Sequence, residues 1–92
     1  MKKINKENTS KLKNNSGLYY LFDCSGKKVY VGTSKILKHR LQSYHEKDDY
    51  SVNRTKKNLR KDLCFFDSKY MNIDKARKIE KQKKKNLEHN HL

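Results

Sequence analysis

The sequence predicts an α+β fold in which a small three-stranded antiparallel sheet is flanked by helices, in the order β-β-α-α-β-α. Three observations favour this fold. Two apolar runs rich in aromatic and β-branched residues lie on either side of a turn at Ser25-Gly26. An amphipathic stripe at helical spacing follows the second run. A third aromatic run and a basic helical stretch complete the order.

The first two strands are expected at residues 18–22 and 28–31. The connecting residues 23–27 carry turn-forming side chains, and the length of this link suits a hairpin. Because side chains alternate along a strand, the first strand presents two different faces. One face carries Leu18, Tyr20 and Phe22, and the other carries Tyr19 and Leu21.

A helix is expected next. Thr33 or Ser34 is expected to cap it, because a hydroxyl at that position can accept a bond from an unpaired backbone N–H. The apolar stripe that this helix turns toward the sheet consists of Leu37, Leu41 and Tyr44.

The second half of the chain is expected to continue with a loop at residues 46–50 and a weaker helix at residues 51–63. A third strand is expected at residues 64–66, where a cysteine precedes two phenylalanines. Asn72 or Asp74 is expected to cap a last helix with a short apolar face.

Length and charge set the outer limits of function. A length of 92 residues allows one small domain. The formal net charge of +14 indicates that this domain binds a polyanion. We expect a flexible basic arm at residues 1–14, a folded domain at 15–82 and a basic tail at 83–92. No apolar run is long enough to span a bilayer and no signal peptide is evident, so we expect a cytoplasmic protein without a membrane partner.

The two cysteines, Cys24 and Cys64, are expected to be reduced, apolar core residues, as is usual in a reducing compartment. No disulfide is therefore expected. The histidines show no zinc-ligand spacing with either cysteine, which argues against a structural zinc site.

Hydrolysis of a phosphodiester bond needs residue types that this chain contains. A carboxylate can hold a hard cation such as Mg²⁺, which supplies Lewis acidity. The guanidinium of arginine presents a fork of donors that matches phosphate oxygens. A tyrosine hydroxyl near a metal or another cation can move a proton, because both favour the phenolate.

Two tripeptides carry a resemblance to a known family. Gly17-Leu18-Tyr19 opens the first strand, Tyr30-Val31-Gly32 closes the second, and Arg40 and Glu80 follow in helical stretches. This order resembles the GIY-YIG nuclease superfamily over residues 15–82. The motif style is similar to that of the N-terminal nuclease domain of the excision-repair subunit UvrC, in which a tyrosine also follows the arginine by one helical turn.

The resemblance implies a catalytic role for each matching residue. Tyr30 or Tyr19 would activate or orient the attacking water. Arg40 would stabilise charge on the phosphate, and Glu80 would bind Mg²⁺ or Mn²⁺. The structural glycines of the motif would be Gly17 and Gly32. The protein would then be a metal-dependent endonuclease acting on DNA, with a branched or damaged duplex as a compatible substrate and a protein partner as a source of specificity.

Basic and aromatic residues outside the tripeptides are predicted to contact nucleic acid. They are Lys35, Tyr44, His45, Lys56 and Lys57. Lys35 is also the nearest substitute for the lysine that repair enzymes of the family often carry at the position of Thr33.

Each interpretation has a simpler alternative. The tyrosines suit a strand surface, and Arg40 suits a solvated helix face. Glu80 can form an i, i+4 pair with Lys84 worth about 0.3–0.5 kcal/mol. A second function, a catalytically degenerate module that binds nucleic acid without cutting it, is motivated by the short apolar face of the last helix. A basic protein at an anionic membrane or in a ribonucleoprotein is the weakest alternative.

Overall fold

The computed structural model describes residues 1–44 and 63–91, with side chains as far as residue 84. The strands are β1 (Lys2–Lys3), β2 (Gly17–Asp23), β3 (Lys28–Ser34) and β4 (Leu63–Tyr70). The helices are α1 (Lys6–Ser10), α2 (Leu37–Gln42) and α3 (Ile73–His91). The loop expected at residues 46–50 and most of the helix expected at 51–63 lie outside the described residues.

The fold is α+β with a small antiparallel sheet and flanking helices, as predicted. Within the described part of the chain the sheet has four strands, in the order β1-β4-β2-β3, so the predicted number of three is wrong. The fourth strand is β1, which pairs Lys2 with Phe66 and Lys3 with Phe65. Its two lysines carry no strand pattern, so their pairing was not visible in the sequence.

Residues 1–14, expected to be a flexible arm, are structured instead. Besides β1 they contain α1, which Asn5 caps by accepting a bond from the amide of Asn8 at 2.8 Å. Leu12 is 9% exposed and joins the core, and Ile4 packs against the same cluster. The burial of these two apolar side chains explains why the segment lies on the sheet.

The hairpin between β2 and β3 forms at residues 23–27, as predicted. A carboxylate oxygen of Asp23 accepts bonds from the amides of Ser25 and Lys27, each at 2.9 Å. Gly26 has a φ of +91°, a conformation that favours glycine because it has no Cβ.

The predicted alternation along β2 is confirmed, because its two faces belong to two separate apolar clusters. Tyr19 and Leu21 face α1 and α2, whereas Leu18, Tyr20 and Phe22 face α3. Buried members of the first cluster are Leu12, Tyr19, Leu21, Val29, Leu37, Leu41, Tyr44 and Phe66. Those of the second are Leu18, Tyr20, Phe22, Val31 and Ala76. The sheet therefore lies between two helical layers.

Helix α2 begins without the side-chain cap expected from sequence. Thr33 and Ser34 belong to β3, and the N-cap residue Ile36 makes no capping bond through its side chain. The amide of Leu37 donates instead to the backbone carbonyl of Asn15 at 2.9 Å. A carbonyl from the segment before β2 thus satisfies this donor. The Ser34 hydroxyl accepts a bond from the amide of the N-cap residue Ile36 at 3.1 Å, so it pairs a backbone N–H just before the helix rather than in its first turn.

Helix α3 follows Asn72, which caps it as predicted by accepting a bond from the amide of Asp74 at 2.8 Å. The helix runs to His91, whereas the sequence predicts a separate tail from residue 83. Lysine, glutamine and glutamate have good helix propensity even without an apolar face, which accounts for the extension. None of the helices described at residues 1–44 and 63–91 is long and apolar enough to cross a membrane.

The expectation that Cys24 and Cys64 are reduced core residues is wrong. Their sulfurs are bonded to each other, and their Cα atoms are 4.8 Å apart, within the normal range for a disulfide. Cys24 is exposed. It directly follows β2, and Cys64 lies in β4, so the antiparallel pairing of these strands brings the cysteines together. That pairing joins segments far apart in the chain, and no local pattern predicts it.

Gly17→Ala is expected to lower the free energy of unfolding by about 2–3 kcal/mol. A Cβ at this position would overlap the carbonyl oxygen of Lys69, and it would lie 2.8 Å from a methyl carbon of Leu37. The carbonyl belongs to β4 and cannot move without separating β4 from β2. Urea unfolding measures the change.

Gly26→Ala is the matched control, because a Cβ there meets only a flexible methionine side chain at 3.7 Å. Its cost arises from the positive φ and is expected to be about 1 kcal/mol. Equal losses for the two variants would contradict the steric role of Gly17.

Candidate active site

Strands β2 and β3 bring the two motif tyrosines together. Tyr19 pairs with Gly32 across the strands, and its ring lies over that glycine. A Cβ at Gly32 would overlap the ring and hydroxyl of Tyr19, so the glycine permits this close approach. The ring centroids of Tyr19 and Tyr30 are 6.1 Å apart.

Tyr19 is buried, with 1% of its surface exposed. Its hydroxyl oxygen lies 3.0 Å from that of Tyr44, which follows α2. Burial raises the pKa of Tyr19 well above the ordinary value of 10.0, and the Tyr44 hydroxyl raises it further. Tyr19 therefore stays a neutral phenol at physiological pH.

The same contact defines the position of Tyr44. Its side chain is 7% exposed and belongs to the core cluster on the α2 face of the sheet. This burial leaves little surface for the nucleic-acid contact predicted from sequence. The hydroxyl instead orients that of Tyr19.

Arg40 lies on α2, half-buried, beside the buried residue Leu41. Its positive charge lowers the pKa of Tyr19, although burial and the neighbouring tyrosines outweigh this influence. The guanidinium is thus within electrostatic range of the Tyr19 hydroxyl. Arg40, a planar donor suited to phosphate, therefore lies at the border between core and solvent.

Glu80 projects from α3 toward β3 and is fixed there by two polar contacts. One carboxylate oxygen accepts a bond from the Thr33 hydroxyl at 3.2 Å. The other lies 3.2 Å from the ammonium of Lys84, so the i, i+4 pair considered as an alternative is present. The Glu80 side chain is only 19% exposed, which strengthens both contacts relative to an open surface.

Lys84 joins the glutamate to the tyrosines. Its ammonium also lies 5.6 Å from the ring centroid of Tyr30, within the range of a cation–π contact. Glu80 and Tyr30, fifty residues apart, therefore converge on one ammonium group. Thr33 and Lys84 were missed as site residues. For Thr33, the signal in the sequence is that it stands where repair enzymes of the family often carry a lysine. For Lys84, the signal is its position four residues after Glu80.

The remaining predicted residues lie elsewhere. Lys35 is exposed, directly after β3, at the rim of a surface cavity. His45, Lys56 and Lys57 lie outside the described residues. Gly17 has a packing role at the start of β2, against the backbone of β4.

The carboxylates near the site determine whether it fits a divalent cation. Among the described residues no group of three or more histidine, cysteine, aspartate or glutamate side chains could hold a metal ion. Glu80 is thus the carboxylate that this site offers. Mg²⁺ is commonly held by one or two carboxylates, with water and substrate phosphate completing its shell. Glu80, 19% exposed and held in place by the Thr33 hydroxyl, can supply that carboxylate, so the residues fit a site of that kind.

Comparison with protein families shows which catalytic domain this chain is similar to. The model of the GIY-YIG catalytic domain matches residues 15–92, past the domain end expected at residue 82. A search of curated proteins found no match. The similarity in motif style to UvrC stays a prediction. The catalytic domain of the GIY-YIG family indicates nuclease-type activity on nucleic acid. Because the family model matches most of the chain, the chain belongs to the GIY-YIG family.

Proposed function

We propose that this protein is a metal-dependent endonuclease that hydrolyses phosphodiester bonds in DNA. The observation that carries the proposal is the convergence of Tyr30 and Glu80 on Lys84, next to the ring of Tyr19. A net charge of +14 supports a polyanionic substrate. A branched or damaged form of that substrate, and a protein partner that confers specificity, remain predictions.

Glu80 would hold the cation, Mg²⁺ or Mn²⁺. When bound, the cation supplies Lewis acidity at a phosphate oxygen. The Thr33 hydroxyl keeps one carboxylate oxygen in place, and the other oxygen contacts Lys84. The ammonium of Lys84, which is 39% exposed, would contact a phosphate of the bound strand.

We assign different roles to Tyr30 and Tyr19. Tyr30 lies at the β3 side of the site and positions the attacking water, whose oxygen forms the new bond to phosphorus as the ester bond breaks. Tyr19 stays protonated and holds the tyrosine cluster in place through Tyr44. Arg40 stabilises the negative charge that develops on the phosphate oxygens.

Tyr30→Phe is expected to lower the single-turnover cleavage rate by about 10²-fold, because the water loses its orienting hydroxyl. Tyr19→Phe is expected to lower the rate less than ten-fold and the free energy of unfolding by about 1 kcal/mol, since it removes one buried hydrogen bond. Cleavage of a supercoiled plasmid and urea unfolding are measured on both variants. A larger rate loss in Tyr19→Phe would reverse the assigned roles.

The proposal is tested by nicking of supercoiled plasmid in Mg²⁺ or Mn²⁺, with a chelator as control. Wild type is expected to nick only when metal is present. Arg40→Ala is expected to be about 10²-fold slower, because a donor to the transition state is lost. Arg77→Ala, which removes the same charge from an exposed position on α3, is the matched control.

The second candidate function is a module that binds nucleic acid without cutting it. The observation that favours it is the ion pair between Glu80 and Lys84, which engages an oxygen that the cation would need. Salt-sensitive binding of plasmid and of branched DNA, with no cleavage of either in both metals, would establish this function instead.

A further inference from the structure

A cavity of about 500 Å³ lies at the end of the sheet where β2 begins and β4 ends. It is lined by Asn14, Asn15, Ser16, Lys35, Tyr70 and Met71. Lys35 comes two residues after Thr33, directly after the end of β3. The cavity therefore lies at the same end of β3 as the Thr33–Glu80 contact, but it shares none of the groups assigned to catalysis.

Tyr70 presents a fixed aromatic surface at this cavity. It is 44% exposed, and its hydroxyl accepts a bond from the amide of Lys13 at 2.8 Å. The Lys13 ammonium lies 6.0 Å from the ring centroid. An exposed ring with its orientation fixed and a cation nearby is the arrangement that single-stranded nucleic acid uses for stacking and phosphate contact.

The walls of the cavity are held by bonds between separate segments. Met71 and Ser16 are joined twice: the Met71 amide donates to the Ser16 carbonyl at 3.1 Å, and the Ser16 hydroxyl donates to the Met71 carbonyl at 2.7 Å. The Asn15 carbonyl accepts the amide of Leu37. A ligand would thus meet a site that is largely formed before binding, which reduces the ordering cost.

We propose that this cavity holds one unpaired nucleotide of the substrate strand, adjacent to the bond that is cut. Its base stacks on Tyr70, its edge faces the side-chain amides of Asn14 and Asn15, and its phosphate contacts Lys35. This inference rests on the proposed nuclease function and narrows its substrate to DNA with an unpaired nucleotide beside a duplex. A paired base is excluded, because both of its faces are already stacked in the helix.

The test measures the affinity of the full chain for two DNA duplexes, one blunt and one with a short single-stranded overhang. The first unpaired position of the overhang carries 2-aminopurine, whose fluorescence is quenched by stacking. Metal is left out so that cleavage does not interfere. Wild type is expected to bind the overhang about 10-fold more tightly than the blunt duplex, with quenching of the probe.

Three variants make the test specific. Tyr70→Ala is expected to bring the ratio of the two affinities close to one and to abolish quenching. Tyr70→Phe keeps the ring and is expected to retain both. Lys35→Ala is expected to weaken binding of the overhang more than Lys27→Ala, which removes the same charge from an exposed position in the β2–β3 hairpin, at the far end of the sheet.

The outcomes separate this inference from the proposed function. Equal affinities for the two duplexes without quenching in wild type, or a Tyr70→Ala variant that keeps the preference, would overturn the nucleotide site and leave the nuclease proposal intact. Failure of wild type to bind either DNA would overturn both.

Discussion

Glu80→Gln is expected to lower the rate of phosphodiester cleavage by about 10³-fold, the largest loss predicted for a single side chain here. Glutamine keeps the size of the side chain and can still accept the bond from Thr33. It removes the negative charge that a divalent cation needs. Plasmid nicking in saturating Mg²⁺ or Mn²⁺ measures the rate, and titration calorimetry with Mn²⁺ measures binding of the cation itself.

Glu7→Gln is the matched control for this variant. Glu7 forms the same i, i+4 pair with a lysine, Lys11 at 3.7 Å, but on α1 and with 78% of its side chain exposed. The control removes an equal charge and an equivalent surface pair, so its cleavage rate is expected to match that of wild type. Similar rates for the Glu80 variant and wild type would mean that Glu80 serves only as the partner of Lys84.

Reduction of the Cys24–Cys64 disulfide is expected to lower the free energy of unfolding by about 3–4 kcal/mol. The bond joins residues 40 positions apart, and a cross-link of this span removes much of the conformational entropy of the unfolded chain. A domain of this length typically has a total stability of about 5–14 kcal/mol, so the bond is a large part of it. Urea unfolding with and without a thiol reductant measures the effect.

A variant with Cys24→Ser and Cys64→Ser together is the control. It is expected to match reduced wild type and to be insensitive to the reductant. Thiol titration of oxidised wild type under denaturing conditions is expected to find no free thiol. Two free thiols, with no effect of the reductant on stability, would show that the cysteines are not paired in solution.

The disulfide bears on where the protein works. Disulfides persist in oxidising compartments and are rare in the cytosol, where thiols are kept reduced. The bond therefore weighs against the cytoplasmic location expected from sequence, which stays a prediction. In a reducing compartment the domain would lack the cross-link and its contribution to stability.

Part of the candidate active site can be predicted from local sequence patterns. The two tripeptides, the alternation along β2 and the hairpin at residues 23–27 are local features, and the sequence predicts them. The structure places Tyr19 beside Tyr30 and links Glu80 to Tyr30 through Lys84. The catalytic roles that the motif implies for these residues and for Arg40 stay predictions. The division of roles between the tyrosines was not visible, because it depends on the burial of Tyr19 against Tyr44.

The sequence by itself determined the fold class, the two faces of β2 and the family motif, because periodicity and turn chemistry act between neighbouring residues. Only the tertiary structure decided that residues 1–14 add a strand and a helix, that Cys24 meets Cys64, and that Lys84 joins Glu80 to Tyr30. These features depend on which distant segments pack together. Which segments pack together depends on the burial and hydrogen bonding of the whole chain. Each local sequence pattern accounts for only part of that total free energy.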